Sequence, residues 1–428
     1  MANSQTPNPQ GQVWFAAGVR TPFAKVDGPL AALDAIQLSV PVVQHMVAVA
    51  RPDFAVWGTV APNLTWSNIA REILLDAKVD ATIPAFSTIM ACSTSMIAAF
   101  EAAGMIDGAA RHLALVGGVE SMSRIQLGLG QRFSDWIRGF TRARSFGQKL
   151  EHVAALRLAD VKLYIPSVTN RTSGMSMGEH TEITVKEWEI PRALQDEIAL
   201  ASHLHAITAW DRGFFADLVI PIGATTKDLI PRRDTSLEKL AKLPPAFDRI
   251  SGRGSLTAGN SSPLTDGAAS LWVASEQGLQ RLPANTPRAR LIDYEVASVD
   301  FSTEGLLMAP AYAVPRLLAR NNLTYADVDL WEIHEAFAGQ LAFHVKAWES
   351  EQFLREKVGL ANNFGPFPRD RINPNGGSTA LGHPFGATGA RILSMAVKEL
   401  STRAPNARAI VSICADGGLG TVALLQNS

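Results

Sequence analysis

The stretch AFSTIMACSTSMIAAFEAAGMIDGAARHLALVGGV (85–119) decides the fold class. AFSTIMA (85–91) reads as an apolar strand, STSMIAAFEAAGMIDG (93–108) as a helix and HLALVGGV (112–119) as a second strand. Strands separated by a helix of this length form a βαβ unit and imply a sheet covered on both faces. Working outward, QVWFAAGV (12–19) and AVWGTV (55–60) read as further strands, with helices at 34–50 and 67–79. The last third repeats the rhythm, with strands at 289–298, 328–333 and 407–415 and helices at 311–322, 337–351 and 390–403. The middle, 121–250, breaks it: Ser–Met turns, a basic stretch, a helix over 191–213 and a Pro/Arg/Lys-rich connection at 231–249. An interruption of that kind suits an inserted lobe that serves as a lid or a ligand-binding face.

The chain has 428 residues, 47% apolar and 18% charged, with a formal net charge of −1. That length fits two or three domains, and the composition predicts a large buried interior rather than disorder. A near-zero charge gives no global field for nucleic acid or an anionic membrane, so an anionic ligand has to be met by a local patch. Two cysteines cannot make a disulfide framework, and free thiols fit a reducing compartment. MANSQTPNPQGQ (1–12) lacks the apolar segment of a secretion signal, and no run reaches the ~20 apolar residues that span a bilayer. A soluble cytoplasmic enzyme is the expectation.

Both cysteines lie where chemistry is readable. Cys92, in ACSTS (91–95), sits at the junction of strand and helix. There the helix N-terminus favours thiolate and offers N–H groups to an oxyanion; the alternative is a buried structural thiol. His383, in GGSTALGHPFGATG (376–389), is flanked by Gly382 and Pro384, so it is either a base held on stiff backbone or a loop histidine satisfied by that backbone. Cys414, in SICADGGLG (412–420), is a second candidate thiol for proton transfer, or core. His334 and Glu335 follow a predicted strand and either cap the next helix or orient a water or substrate oxygen. GGVESMS (117–123) and TAGNSSPLTDGAAS (257–270) are loops, or places where backbone approaches an extended ligand. QRFSDWIRGFTRARSFGQKL (131–150) carries Arg132, Arg138, Arg142, Arg144 and Lys149, with Trp136, Ile137, Phe140 and Phe146 interleaved. It suits a solvated helix, a membrane-surface helix, a partner surface or phosphate capture. Two separated thiols plus a histidine suggest covalent acyl chemistry rather than a disulfide or a metal site.

VRTPF (19–23), ACSTS, GGVESMS, TAGNSSPLTDGA, HEAFAGQ (334–340), NGGSTALGHPFGATGAR (375–391) and CADGGLG (414–420), in this order and spacing, resemble the thiolase family along nearly the whole chain. HEAF, HPFGATG and the long basic segment most resemble the trifunctional-complex β subunit and bacterial 3-ketoacyl-CoA thiolases. The resemblance implies a thiolase fold: two similar βαβ-rich halves in a layered α/β/α/β/α core with an inserted loop domain. Its expected boundaries are 1–125 with 250–287, a loop domain at 126–249, and 288–428. It implies Cys92 as the acylated nucleophile, His383 as its activator, Cys414 as the proton shuttle at the α-carbon, and His334 where most members have an asparagine that anchors a water in the oxyanion hole. Glu335, Asp416 and Gly418 fall in the oxyanion and orienting set. Ser262, with Met177, Asn260 and Phe337, falls in the substrate-binding set. Asp416 stands where glycine is common, and a side chain there disfavours positive φ and adds charge.

The implied activity is cleavage of 3-ketoacyl-CoA by CoA, as in fatty-acid β-oxidation, with CoA as substrate and no metal or organic cofactor. Alternatives are biosynthetic acetoacetyl-CoA formation, a ketosynthase-like condensing enzyme, and a non-catalytic CoA-binding protein. The implied partners are a second copy or three further copies of the chain, or a hydratase/dehydrogenase subunit, with membrane contact through 131–150 and no nucleic acid.

Overall fold

Apolar runs from both ends of the chain meet in one mixed sheet. The computed structural model describes residues 12–106, 110–164, 166–361 and 364–428. The polar start of the chain, 1–11, and the last two residues of the helix expected at 93–108 lie outside the described residues. The strands are β1 Val13–Arg20, β2 Phe54–Gly58, β3 Ala85–Phe86, β4 Leu113–Glu120, β5 Thr265–Ser275, β6 Arg288–Ser298, β7 Leu330–Ile333, β8 Arg408–Ala415 and β9 Leu419–Gln426. Their spatial order is β7-β8-β9-β6-β1-β5-β4-β2-β3, with Ala24–Lys25 pairing on β5 as an extra short strand. Pairs near the two ends are parallel and those between are antiparallel. The halves join where Trp14 to Ala16 of β1 lie opposite Arg288 to Arg290 of β6.

The principal helices are α1 Ala35–Val49, α2 Ile69–Asp76, α3 Thr94–Met105, α4 Gln131–Arg142, α5 Phe146–Ala155, α6 Met177–Glu187, α7 Arg192–Asp211, α8 Ala309–Arg320, α9 Ala338–Trp348 and α10 Thr388–Ser401. Strand periodicity sorts them into layers. On β4, Ala114 and Val116 pack in one cluster with Met96 and Phe100 of α3 and Ile392 and Leu393 of α10. Leu113 and Leu115, on the other face, pack with Leu38 and Val42 of α1 and Ile73 of α2. On β8, Ala409, Val411 and Ile413 join that same central cluster, while Ile410 packs with Leu317 of α8 and Leu341 of α9. Helices α3 and α10 are thus enclosed between the two halves of the sheet, which gives the five layers α/β/α/β/α. A helix covered on both sides has to be apolar or small all round, and α3 is: Thr94, Ser95, Met96, Ala98, Ala99, Phe100, Ala102 and Ala103 are all buried.

Three elements differ from the sequence-based expectation. The start of β5 falls in the run 257–270, where loops or backbone approach to a ligand are expected, and β9 matches no expected element. Both are central strands buried on both faces, so they lack the polar alternation that marks a half-exposed strand. β9 pairs antiparallel with β8 through a turn at Asp416 to Gly418, so neither half is purely βαβ. The apolar run at 85–91 supplies only two residues to the sheet before leaving it to reach Cys92, and Ala91 takes a φ of +44°. Among the described residues, no helix is long and apolar enough to cross a membrane.

The stretch between β4 and β5 holds α4 to α7 and is tied back to the sheet by charge. Arg20, at the end of β1 in the VRTPF run, pairs with Asp228 through both guanidinium nitrogens at 2.6 Å. The side chains are 4% and 0% exposed. The Asp228 carboxylate also accepts from Phe23 N (2.8 Å) and Trp210 Nε1 (3.2 Å). Removing one member of such a pair strands a buried charge. Asp228→Ala is expected to destabilise the protein by ~3–5 kcal/mol in urea denaturation followed by circular dichroism. A change within error of zero would show that the pair does not anchor the lobe.

Candidate active site

Cys92 lies two residues before the first residue of α3, on the segment that the positive φ of Ala91 turns out of the sheet. The hydroxyls beside it fasten the two halves together. Ser93 Oγ donates to Ile413 O (3.5 Å) and accepts from Thr421 Oγ1 (3.0 Å), while Ser95 Oγ accepts from Ala390 N (2.8 Å). Thr94 Oγ1 donates to Ala91 O (2.7 Å) and accepts from Met90 N (2.9 Å), which closes the turn under Cys92. Against the pull of the helix end toward thiolate, burial, then the charge of Asp416, push the Cys92 thiol up to about 12. The amides of Cys92 and Asp416 direct hydrogen bonds at the sulfur and oppose the shift without reversing it. In this geometry desolvation outweighs the helix dipole.

His383 is carried by the loop between a one-turn helix, Ser378–Leu381, and α10. Gly382 turns the chain with a φ of +97°, and the next amide donates from His383 N to Thr265 Oγ1 (3.0 Å) on β5. The ring is fixed from both sides. Nδ1 is 2.6 Å from Thr388 Oγ1, and that hydroxyl donates its own hydrogen to Pro384 O (3.2 Å). Thr388 therefore accepts from Nδ1–H, and the lone pair of Nε2 faces Cys92 Sγ at 3.1 Å. Burial holds His383 down to about 3, so the resting pair is a neutral thiol beside a neutral imidazole. Glu120, at the end of β4 in the GGVESMS run, accepts from Thr59 Oγ1, Val60 N, Ala61 N and Gly386 N, and so clamps the same loop.

His334 stacks obliquely on His383, with ring centroids 4.3 Å apart. Its Nδ1 is 2.7 Å from Ser378 Oγ, and its Nε2 is buried with no partner among the described residues. One ring nitrogen of each histidine and Cys92 Sγ all lie within 4.8 Å of one another. Glu335 points elsewhere: its carboxylate accepts from Ser202 Oγ of α7 (2.7 Å), Asn373 Nδ2 (2.7 Å) and Thr379 N (3.2 Å). It orders the loops rather than facing the sulfur.

Cys414 ends β8, is buried, and is pushed well above the ordinary thiol range by burial and then by the charge of Cys92. Asp416 does not take positive φ; that conformation falls to Gly417 and Gly418, at +87° and +74°. The strain expected from a side chain at 416 is absent, and its carboxylate is held by Asn170 Nδ2 (2.8 Å) and Gly417 N (2.7 Å). Gly418 serves the turn, its carbonyl accepting from Val299 N (2.9 Å).

Of the residues expected at the substrate, Ser262 is half-buried, and both its N–H and its hydroxyl donate to Ala336 O. Asn260 is fully buried and its amide is spent on protein: Nδ2 donates to Asp196 Oδ1 and Ser255 O, and Oδ1 accepts from Thr257 N. It shapes the loop that carries Ser262. Phe337 caps α9 and meets Phe247 edge-to-face at 5.6 Å, and Met177 opens α6 against the outer core of the C-terminal half. Sequence reasoning missed Thr388 and Ser378, the hydroxyls that orient the two imidazoles. Both lie within the quoted motif around His383, where a hydroxyl near a candidate histidine was the available signal.

Comparison with known proteins agrees with this architecture. The model of the thiolase N-terminal domain matches residues 13–277, and that of the thiolase C-terminal domain matches 285–427. A 3-ketoacyl-CoA thiolase from Yersinia enterocolitica is 35% identical over 426 residues, covering 97% of each chain. One from Yersinia pestis is 36% identical over 420 residues, covering 96% of this chain and 95% of the relative. The crystal structure of the Bacillus anthracis acetyl-CoA acetyltransferase superposes with a TM-score of 0.78 at 31% identity, covering 97% of this chain and 99% of that one. A thiolase from Ascaris suum in complex with coenzyme A gives 0.77 at 28% identity, covering 97% and 100%. Two halves that each match their own family model, with a thiol and an imidazole meeting at the seam between them, place this chain in the thiolase family of acyltransferases.

Proposed function

We propose that the chain cleaves 3-ketoacyl-CoA with CoA to give acetyl-CoA and a shortened acyl-CoA, with no metal or organic cofactor. The observation that carries this reading is the 3.1 Å contact of Cys92 Sγ with an imidazole nitrogen whose opposite N–H is already engaged. A neutral pair of this kind is poised for concerted transfer: Cys92 gives its proton to His383 Nε2 as the sulfur attacks the keto carbon. The carbon–carbon bond then breaks, its electron pair passes to the α-carbon, and Cys414 protonates that carbon to release acetyl-CoA. The shortened acyl group stays on Cys92 as a thioester. CoA gives its thiol proton to Cys414 and attacks this thioester; Cys92 departs and recovers its proton from His383. Donors beside the sulfur, the amides of Cys92 and Asp416, suit the negative oxygen of the tetrahedral intermediates. A metal ion bridging Cys92, His334 and His383 would tie up the lone pairs this sequence uses, so we assign the cluster to acyl transfer.

Ser262, Met177 and Phe337 are proposed to line the path of the pantetheine arm. The pairing of the chain with a second copy, as a dimer or tetramer, or with a hydratase/dehydrogenase subunit, is proposed on the resemblance and on the exposed sheet edge at β3, beside which Ile89 is 65% exposed. A cytoplasmic setting is proposed on the two free thiols. The basic segment forms an outlying helical hairpin in which no residue of α4 or α5 is buried. Phe133, Trp136 and Phe140 stack along α4, Trp136 Nε1 donates to His152 O of α5 (2.6 Å), and Phe146 and Leu158 are 83% and 92% exposed. Exposed apolar side chains among arginines favour contact with an anionic lipid surface.

Cys92→Ser is expected to lower thiolysis by roughly 10³-fold or more and to abolish the acyl-protein detected by mass spectrometry, with an unchanged circular dichroism spectrum. Normal labelling of the variant would overturn the assignment. Long-chain 3-ketoacyl-CoA is expected to be cleaved with a higher kcat/KM than acetoacetyl-CoA. The reverse preference would favour the biosynthetic activity, which is the activity named for the Bacillus anthracis neighbour. Changing Arg138, Arg142 and Arg144 to Gln together is expected to weaken sedimentation with phosphatidylserine-containing vesicles by roughly 10²-fold; unchanged sedimentation would exclude a lipid role for the hairpin.

A further inference from the structure

We propose that Ser378, with the buried Arg391 behind it, is a positioning residue that holds His334 in its Nε2–H form, so that this ring presents a fixed neutral donor to the reacting oxygen. The inference rests on the thiolysis reading for its purpose, but not for its geometry. Ser378 Oγ is 2.7 Å from His334 Nδ1, and Arg391 Nη2 donates to the same oxygen at 2.6 Å. A guanidinium has no lone pair to offer, so the serine oxygen must accept from Arg391, and its single hydrogen is left for Nδ1. Nδ1 then accepts, and the hydrogen of the ring sits on Nε2. In the other tautomer, Nδ1–H and Arg391 would both donate to the serine oxygen, and the serine hydrogen would have to leave this contact.

The far nitrogen is placed where that hydrogen can be used. Nε2 is buried and has no partner among the described residues, although a ring nitrogen of His334 lies within 4.8 Å of both Cys92 Sγ and a ring nitrogen of His383. A buried N–H without a protein partner, beside a nucleophile, is suited to a substrate oxygen or a water that anchors one. The ring stays neutral because burial, then the neighbouring His383 and Arg391, hold it well below the ordinary histidine range. Arg391 is itself 1% exposed, with Glu332 as its strongest electrostatic partner. The two stacked imidazoles are thereby set in opposite tautomers: Thr388 leaves His383 with a lone pair facing the thiol, and Ser378 leaves His334 with a hydrogen. An asparagine amide always has N–H groups to donate, whereas an imidazole offers either a donor or an acceptor until a neighbour chooses.

The test reads the tautomer directly. Long-range 1H–15N spectra of histidine-labelled protein without substrate, with the His334 signals assigned by their loss in His334→Asn, are expected to show Nδ1 unprotonated and Nε2 protonated. Ser378→Ala is expected to mix or invert that pattern, and Ser378→Thr, which keeps the hydroxyl, to preserve it. In thiolysis, Ser378→Ala is expected to lower kcat by about 10–100-fold, less than the ~10²–10³ of losing an oxyanion donor outright, with little change in KM. In a His334→Asn background the same substitution is expected to cost nothing further. Hydrogen on Nδ1 in the unaltered protein, an unchanged spectrum in Ser378→Ala, or an equal loss in the His334→Asn background would each overturn the proposal. The expected tautomer together with a Cys92 that substrate never acylates would support it and overturn the thiolysis reading instead.

Discussion

The approach of α3 to α10 is the contact on which the site depends. These two helices occupy the middle layer, one from each half; Cys92 lies just before the start of α3 and His383 just before that of α10. A Cβ on Gly389 would lie 2.4 Å from Met96 N, so only glycine permits this distance. With the backbones so close, Ser95 can accept from Ala390 N, and Ser93 can bond to β8 and β9 at once. Small hydroxyl side chains at a helix start usually cap their own helix; here they fasten two halves of a molecule.

Closure has an electrostatic consequence. Desolvation at the seam penalises every charged form, raising the Cys92 thiol and lowering both His383 and His334, so all three favour the neutral state. A thiolate–imidazolium pair would be a ready nucleophile at rest, but it would also have to be kept buried. A neutral pair at hydrogen-bond distance becomes charged only as the sulfur meets a carbonyl, when a negative oxygen appears beside donors already in place. The carboxylates of Glu120 and Asp416 reinforce the neutral state of Cys92 through their charge, while their hydrogen bonds order the loops around it.

The inserted lobe reaches the seam through polar bridges. Ser202 on α7 donates to Glu335, Asn170 donates to Asp416, and Arg20 on β1 pairs with Asp228. Each bridge joins a residue of a sequence motif to a residue of the stretch between β4 and β5 that no motif predicts. Several motif residues are therefore explained by architecture: Arg20, Glu335, Asn260 and Gly418 hold chain segments in place. The proposed acyl transfer draws on the smaller set of Cys92, His383, Cys414 and His334.

Local periodicity was enough to determine an α/β class with a sheet covered on both faces, and short motifs, through the family they resemble, pointed to the layered core and to the two thiols and two histidines, because both are properties of adjacent residues. β5 and β9 escaped, since a strand buried on both faces has no alternation to read. The protonation of Cys92 also escaped: a helix start argues for thiolate, and only burial between the halves reverses it. The tautomers of His383 and His334 are further still from the linear chain. They depend on which hydroxyl the fold sets against which nitrogen, and on a guanidinium brought up from α10. Propensity and pattern act over a few residues, whereas desolvation and hydrogen-bond geometry act across space, so the chemistry of the site was decided only when the two halves closed.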